Sequence, residues 1–369
     1  MGPAVDSGMT GNYQPVAGGV NLFAAKRCQI LMTFDYAAYY RRPQDLKRLQ
    51  IPAGSIRWVE RYERPAESRR IVLYLGCNIL RTPDIAADVV AVFTALGLDF
   101  VAVAGVQFCC GVTWDRHEDV AHGQTVSSTT VERLASFNPE LVVHWCPSCD
   151  VHFNDVITGR DSHELPFRVT SAAAFLADLA KAGRMPWQHP LRARAVLHGH
   201  VGHEGHHHGR RRAREDTEQI ATILRSLPDV QYLGVVDSPE ELDYDCGPSS
   251  SAIERPRWRA IRAGLWTALR ATGADLVVTK SHACQREWCD LAEPDIGVRC
   301  YISLVADALG CRRDYRDNLM KELKQTGDTD ALVKLTRANW TSHGLAESEA
   351  REVAARYDWA DRAGELPPP

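Results

Sequence analysis

The stretch that decides the fold reads Glu140-Leu-Val-Val-His-Trp-Cys146-Pro-Ser-Cys149, an apolar run that ends in two cysteines. The same pattern returns as Asp275-Leu-Val-Val-Thr-Lys-Ser281-His-Ala-Cys284, 135 positions further along the chain. A second match pairs Phe108-Cys-Cys110-Gly111 with Tyr244-Asp-Cys246-Gly247, at a separation of 136 positions. Two matches at almost the same separation indicate an internal duplication.

Each copy alternates apolar strands with amphipathic helices. The strands predicted in the first copy are Ile71–Gly76, Phe100–Ala104 and Leu141–Trp145. Those predicted in the second copy are Ala195–His198, Val230–Val235 and Leu276–Thr279. Helices between successive strands indicate parallel sheets with right-handed crossovers. The sequence therefore predicts an α/β fold with two tandem βαβ-type parallel-sheet repeats, an N-terminal extension and a C-terminal helical tail.

The two repeats divide the chain into four regions. Residues 1–69 match neither copy and are interpreted as a tail and an extension, whereas residues 70–190 hold the first, complete cysteine motif. Residues 191–312 hold a second, incomplete motif, and residues 313–369 have the charged pattern of exposed helices. We expect each repeat to form a domain with its own core.

Composition excludes several classes of protein. The chain of 369 residues is 45% hydrophobic and 24% charged, with a formal net charge of −4, which gives no reason to expect a nucleic-acid partner. The longest apolar stretch is interrupted by Gly97 and Asp99, so no membrane span is predicted. Without a visible secretory signal we expect a cytoplasmic protein, which can still dock to a membrane complex from that side. In a reducing compartment, 11 cysteines indicate metal or redox chemistry.

The cysteines of the first copy all follow predicted strands. Cys77 follows the first strand, Cys109 and Cys110 follow the second, and Cys146 and Cys149 follow the third. The carboxyl ends of parallel strands lie at the same edge of a sheet, and ligands gather there. We therefore expect these five side chains to converge.

Five converging thiolates suit an iron–sulfur cluster or zinc. Tetrahedral zinc and a simple cubane cluster each need only four ligands. The adjacent Cys109 and Cys110 cannot easily bind one iron, so they indicate more than one metal ion. A cluster is favoured over a zinc site and over buried free cysteines.

The spacing of these cysteines resembles the CCG cysteine-rich domain found in heterodisulfide reductase. Thirty-one residues separate Cys77 from Cys109, and thirty-five separate Cys110 from Cys146. The resemblance extends over about residues 70–311. It implies a non-cubane [4Fe–4S] cluster held by Cys77, Cys109, Cys110, Cys146 and Cys149, in a domain that this family usually contains twice.

The second copy departs from that pattern. Asp245 and Ser281 stand where the motif has cysteines, and no cysteine aligns with Cys77. The residues left as candidate ligands are Cys246, Cys284, His198, His200, His203 and His282. They indicate either a mixed Cys/His site, for zinc or for a differently ligated second cluster, or a metal-free copy retained for packing.

Three functions fit these features. The first is an electron-transfer subunit of an oxidoreductase, because the chain shows a cluster motif without a flavin or nicotinamide motif. The resemblance implies other redox subunits as partners, namely a flavoprotein, a hydrogenase or a cubane iron–sulfur protein. The alternative is a heterodisulfide-reductase-like catalytic subunit that reduces a disulfide at the cluster. A zinc-stabilised scaffold ranks third.

Overall fold

The structure is a computed structural model, and it describes most of the repeat region together with several terminal helices. The described residues are 36–54, 68–199, 207–237, 255–288, 296–311, 320, 323 and 327–356. Residues 1–35 and 357–369, which belong to the predicted tails, lie outside these ranges. The boundaries of the four predicted regions remain predictions.

The described residues form two parallel sheets of four strands each. The first sheet contains β1 (Ile71–Tyr74), β2 (Phe100–Val103), β3 (Leu141–His144) and β4 (Arg168–Ser171) in the order β2-β1-β3-β4. The second sheet contains β5 (Ala193–Gly199), β6 (Val230–Asp237), β7 (Leu276–Thr279) and β8 (Gly297–Cys300) in the order β6-β5-β7-β8. The equal order confirms the predicted fold of two tandem parallel repeats.

Helices connect the strands and extend the chain at both ends. Those up to the first sheet's last strand are α1 (Tyr36–Gln50), α2 (Pro83–Ala95), α3 (Val112–Arg116), α4 (Val120–Ala135) and α5 (Pro147–Val151), which continues as a π-helical segment, His152–Arg160. The next five are α6 (Ala172–Lys181), α7 (His207–Ser226), α8 (Arg255–Ala271), α9 (His282–Trp288) and α10 (Tyr301–Ala308). The C-terminal helices are α11 (Thr329–Leu335), α12 (Arg337–Ser342) and α13 (Glu347–Arg356). No helix in the described ranges is long and apolar enough to cross a membrane.

The fourth strand of each sheet was missing from the sequence prediction. β4 reads Arg-Val-Thr-Ser and lies at the edge of its sheet, where its residues are only partly buried. β8 reads Gly-Val-Arg-Cys and also lies at an edge. Such short and polar stretches carry little strand signal, and pairing with β3 and β7 supplies their backbone hydrogen bonds instead.

The two repeats pack together through equivalent helices. α2 of the first repeat packs against α10 of the second, and α6 of the first packs against α7 of the second. Because α2 and α7 each follow the first strand of a repeat, whereas α6 and α10 follow the fourth, the helices exchange roles between the two contacts. The Ser303 hydroxyl donates to the buried Asp88 carboxylate at 2.6 Å, and Trp145 stacks on Tyr301 at 5.6 Å. One continuous hydrophobic core therefore spans both sheets.

The N-terminal helix belongs with the C-terminal helices. α1 packs with α12 and α13 around a separate small core that includes Leu49 and Trp340. It also contacts the turn Asn78–Arg81, where the Gln50 side-chain amide donates to the Arg81 carbonyl oxygen at 3.4 Å. This helix therefore braces the loop that follows Cys77.

Candidate metal centre

The structure brings the five cysteines of the first repeat to one edge of the first sheet. Cys77 follows β1, Cys109 and Cys110 follow β2 after one short helical turn, and Cys146 and Cys149 open α5 after β3. Their exposed fractions are between 0 and 7%, and all five are free thiols.

Hydrogen bonds link these thiols into one connected group. Cys109 is paired with both Cys77 and Cys110, and Cys149 is paired with both Cys110 and Cys146. Residues that are up to 72 positions apart in sequence, from Cys77 to Cys149, therefore share one site. The linked donors are all thiols, which are the ligands that iron–sulfur clusters use.

The acidity of these thiols shows that the site lacks compensating positive charge. The hydrogen bond from Cys109 and then burial raise the pKa of Cys77 well above its usual range. Hydrogen bonds with neighbouring thiols and burial likewise raise the pKa of Cys110 and of Cys149. Because metal ligation removes these protons and supplies positive charge, a bound metal centre would relieve the repulsion among thiolates.

Cys146 differs from the other thiols. A hydrogen bond from Cys149 lowers its pKa, aided by the backbone N–H groups of Cys149 and Ser148 and by the nearby Arg116 guanidinium. The thiolate of Cys146 is therefore the one that the protein itself stabilises most.

Two glycines allow the cysteine loops to approach closely. Gly76 has φ of +80°, and a Cβ at this position would lie 3.0 Å from the Cys149 Sγ and 3.2 Å from the Cys146 Cβ. Gly111 has φ of +93°, and a Cβ there would lie 2.5 Å from the Ser127 hydroxyl. Only glycine satisfies both the left-handed backbone and the lack of space.

Side chains outside the motif hold the loop that carries Cys109 and Cys110. The Thr130 hydroxyl donates to the Cys109 carbonyl oxygen at 2.6 Å, and the Ser127 hydroxyl donates to that of Cys110 at 2.7 Å. The Tyr74 hydroxyl donates to the Phe108 carbonyl oxygen at 2.5 Å. Sequence analysis missed these three supports, because a hydroxyl 17 to 34 residues away from its partner leaves no local pattern.

A narrow cleft of about 50 Å³ opens beside the thiols. Cys77, Cys146 and Cys149 line it on one side, near Arg116, and the second repeat contributes Ser281, His282 and Ala283. A volume of this size holds only a few water-sized groups. The candidate site therefore faces the other repeat and admits a small ligand.

The equivalent edge of the second repeat carries different chemistry. Ser281 occupies the position of Cys146, and its hydroxyl accepts the Cys284 backbone N–H at 3.4 Å. His282 is buried, and Cys284 is buried and disulfide-bonded. His198 is buried at the end of β5 against Trp288, at 4.7 Å, and burial followed by the charge of Lys280 lowers its pKa to about 3.

The predicted second metal site is therefore only partly visible. Cys246, His200 and His203 lie outside the described residues. Within the described ranges, no group of three or more His, Cys, Asp or Glu side chains has the geometry that binds a single metal ion. The proposed second set of ligands remains a prediction.

Comparison with known proteins agrees with the cysteine pattern. Residues 71–154, which include all five cysteines, match the family model of the CCG cysteine-rich domain. The prediction of a CCG domain, of a family that includes heterodisulfide reductase components, is thus confirmed.

Two relatives are similar over a longer stretch, and both are named as the same component of dihydromethanophenazine:CoB–CoM heterodisulfide reductase. The protein from Methanosarcina barkeri is 26% identical over 264 residues, and the one from Methanosarcina mazei is 25% identical over 266 residues. Each match covers 69% of this chain and spans less than two thirds of the relative, 62% and 63% respectively. Together with the family match, they support an iron–sulfur redox subunit as the general class.

Proposed function

We propose that the chain is an electron-transfer subunit of an oxidoreductase, with one non-cubane [4Fe–4S] cluster held by Cys77, Cys109, Cys110, Cys146 and Cys149. The observation that carries this proposal is the connected group of five buried free thiols at one edge of the first sheet. A single zinc ion uses four such ligands, so a fifth linked thiol favours a polynuclear centre.

The protein would serve the cluster by excluding water and fixing its ligands. When bound, the cluster accepts and releases single electrons. The thiols are buried beside the apolar side chains of Phe108 and Phe153, which lowers the local dielectric and so influences the reduction potential. Gly76 and Gly111 let the three cysteine-bearing loops close around one volume.

We propose that this subunit exchanges electrons with other redox subunits. The names of both relatives describe them as subunits of a heterodisulfide reductase, which supports a multisubunit assembly. A flavoprotein, a hydrogenase or a cubane iron–sulfur protein would supply or accept the electrons, on the cytoplasmic side or docked to a membrane complex.

A second candidate function is reduction of a disulfide at the cluster, and the cleft beside Cys77, Cys146 and Cys149 favours it. Cleavage of one disulfide to two thiols takes two electrons and two protons, which a redox partner and solvent would supply. Its test is disulfide cleavage by the purified protein with an artificial one-electron donor. Activity that disappears in Cys146→Ser would establish this function, and none above the background of the donor would exclude it.

The cluster itself is tested by cysteine replacement. Cys110→Ser in anaerobically purified protein should lower bound iron and acid-labile sulfide at least tenfold and abolish the paramagnetic signal. Cys311→Ser is the matched control, because Cys311 is also a free thiol but follows α10, away from the cysteine loops. Full iron content in Cys110→Ser would overturn the five-ligand assignment, and zinc without iron in the wild type would favour the scaffold function.

A further inference from the structure

Equivalent buried pairs lie beneath the cysteine edge in both repeats. In the first repeat, His144 Nδ1 lies 3.0 Å from Asp150 Oδ1, and both side chains are almost fully buried. In the second, the Thr279 hydroxyl donates to Gln285 Oε1 at 2.8 Å, also buried. Each pair joins the last residue of the third strand to the helix that follows, six residues later. The geometry is therefore duplicated, although the chemistry differs.

The aromatic surroundings of the two pairs are also equivalent. The His144 ring contacts Tyr74 at 5.5 Å and Phe153 at 4.6 Å between ring centroids. In the second repeat, His198 and Trp288 occupy the positions of Tyr74 and Phe153, at 4.7 Å from each other. The first repeat thus has a charged or ionisable pair where the second has a neutral one.

The His144–Asp150 pair is connected directly to the cysteine loops. Asp150 follows Cys149, its backbone N–H donates to the Cys146 carbonyl oxygen at 3.0 Å, and the Asn154 amide donates to its carboxylate at 3.3 Å. His144 lies two residues before Cys146 on the same strand end. The hydrogen bond between them therefore closes a loop that contains both cysteines of α5.

A role in holding the cluster explains why this pair occurs in one repeat and its neutral equivalent in the other. A buried hydrogen bond to a carboxylate is shorter, stronger and more directional than one between neutral groups. It also places negative charge next to cluster ligands, and charge near a cluster is one of the protein's means of setting its potential. The second repeat has Ser281 in place of the first cysteine of this turn, so its turn does not need the charged bond.

We propose that His144 and Asp150 are positioning residues for the cluster, which fix the Cys146–Cys149 turn by their hydrogen bond and set the cluster's reduction potential through the Asp150 carboxylate. This inference rests on the proposed function, because it assumes a cluster at the five cysteines. The second repeat provides a neutral replacement, since Thr and Gln form the same contact on the same backbone geometry.

The test transfers the pair of the second repeat to the first. His144→Thr and Asp150→Gln are made singly and together, and iron content, the electron paramagnetic resonance spectrum and the midpoint potential are measured on anaerobic protein. Each single variant should lose at least half of the bound iron. The double variant should recover most of it, with altered g-values and a more positive midpoint potential, because the hydrogen bond returns without the carboxylate.

Two further variants separate positioning from folding. Asp150→Asn keeps the shape of the side chain, so it should retain most of the iron while its midpoint potential also becomes more positive. Gln285→Leu breaks the equivalent pair in the second repeat, so it should lower the unfolding temperature but leave the spectrum and potential unchanged.

The outcomes are distinguishable from failure of the proposed function, which would show as wild-type protein without iron. Wild-type iron, spectrum and potential in both single variants and in Asp150→Asn would overturn the positioning role. A double variant that loses as much iron as the single variants would overturn it as well, because the restored contact would then have no effect.

Discussion

The edges of the two repeats are built on the same backbone plan and hold different chemistry. Both sheets have the same strand order, and in each a short helix begins directly after the third strand. The first edge carries five free buried thiols, whereas the described part of the second carries Ser281, His282 and the disulfide-bonded Cys284. The comparison teaches that the fold supplies convergence at an edge, and that the residues placed there decide what it can bind.

The second repeat shows which features of the first belong to folding alone. Ser281 begins α9 by accepting the Cys284 N–H, much as Cys146 accepts the N–H groups of Ser148 and Cys149 at the start of α5. The second repeat also supplies α7 and α10 to the shared core and one wall of the cleft. It therefore has a structural role whether or not it binds a metal.

The largest expected effect comes from making the first edge resemble the second at one position. Cys146→Ser should lower bound iron and sulfide at least tenfold, because it removes a ligand that the protein holds as thiolate. The fold should survive, since serine begins the equivalent helix in the second repeat. Iron analysis and circular dichroism check both statements, and an iron-replete variant would show that Cys146 is not a ligand.

The next effect comes from filling the space beside the thiols. Gly76→Ala should destabilise the protein by roughly 2–3 kcal/mol, because the left-handed backbone and the contact with the Cys149 Sγ both act. Gly97→Ala is the matched control, with φ of +64° and nothing within 4 Å of the added Cβ. It should lose only about 1 kcal/mol.

Denaturant unfolding and iron content measure the contrast between these two glycines. Reduced iron is expected in Gly76→Ala alone. Equal losses of stability and unchanged iron in both variants would show that the thiols do not need this close approach.

A smaller, pH-dependent effect is expected from the second repeat. His198 has a pKa of about 3 in the folded protein, below the 6.5 of an unperturbed histidine. Between these values the unfolded chain binds a proton that the folded chain does not, so the free energy of unfolding falls as the pH is lowered. The slope reaches about 1.4 kcal/mol per pH unit.

His198→Phe removes this contribution and keeps a ring against Trp288. The difference in stability between wild type and variant should therefore change by about 2 kcal/mol in the variant's favour between pH 6.5 and 5. Denaturant titrations at several pH values check this. Parallel pH profiles would mean that His198 is protonated or exposed in the folded protein.

The smallest effect is expected from restoring a single cysteine. Ser281→Cys should leave the iron content per chain unchanged, because Asp245 and the stretch aligned with Cys77 still lack thiols. Iron and sulfide analysis beside the wild type would show this. Additional iron in Ser281→Cys would mean that the second edge is already close to a functional cluster site.

How far the sequence predicted this molecule depended on the range of the interactions. The strands that carry the cysteines were predictable because apolar runs such as Leu141–His144 end directly before the motif. β4 and β8 were not, since their hydrogen bonds come from neighbouring strands. The supports Tyr74, Ser127 and Thr130 escaped for the same reason, because they contact the cysteine loop only in three dimensions.

Histidines in the second repeat show the limit of spacing as a signal. Spacing predicts His198 as a ligand because His200 and His203 follow it closely. The structure places it where the first repeat has Tyr74, among buried side chains at the end of the strand. Whether a metal reaches this region is a question for metal analysis, and the spacing of histidines does not answer it.

The most direct test of the central claim is iron and acid-labile sulfide content per chain, measured with electron paramagnetic resonance on protein purified without oxygen. One cluster in the first repeat predicts about four irons and four sulfides, with a signal that Cys110→Ser abolishes. Zinc in place of iron, or about eight irons per chain, would contradict the account of one complete and one altered edge.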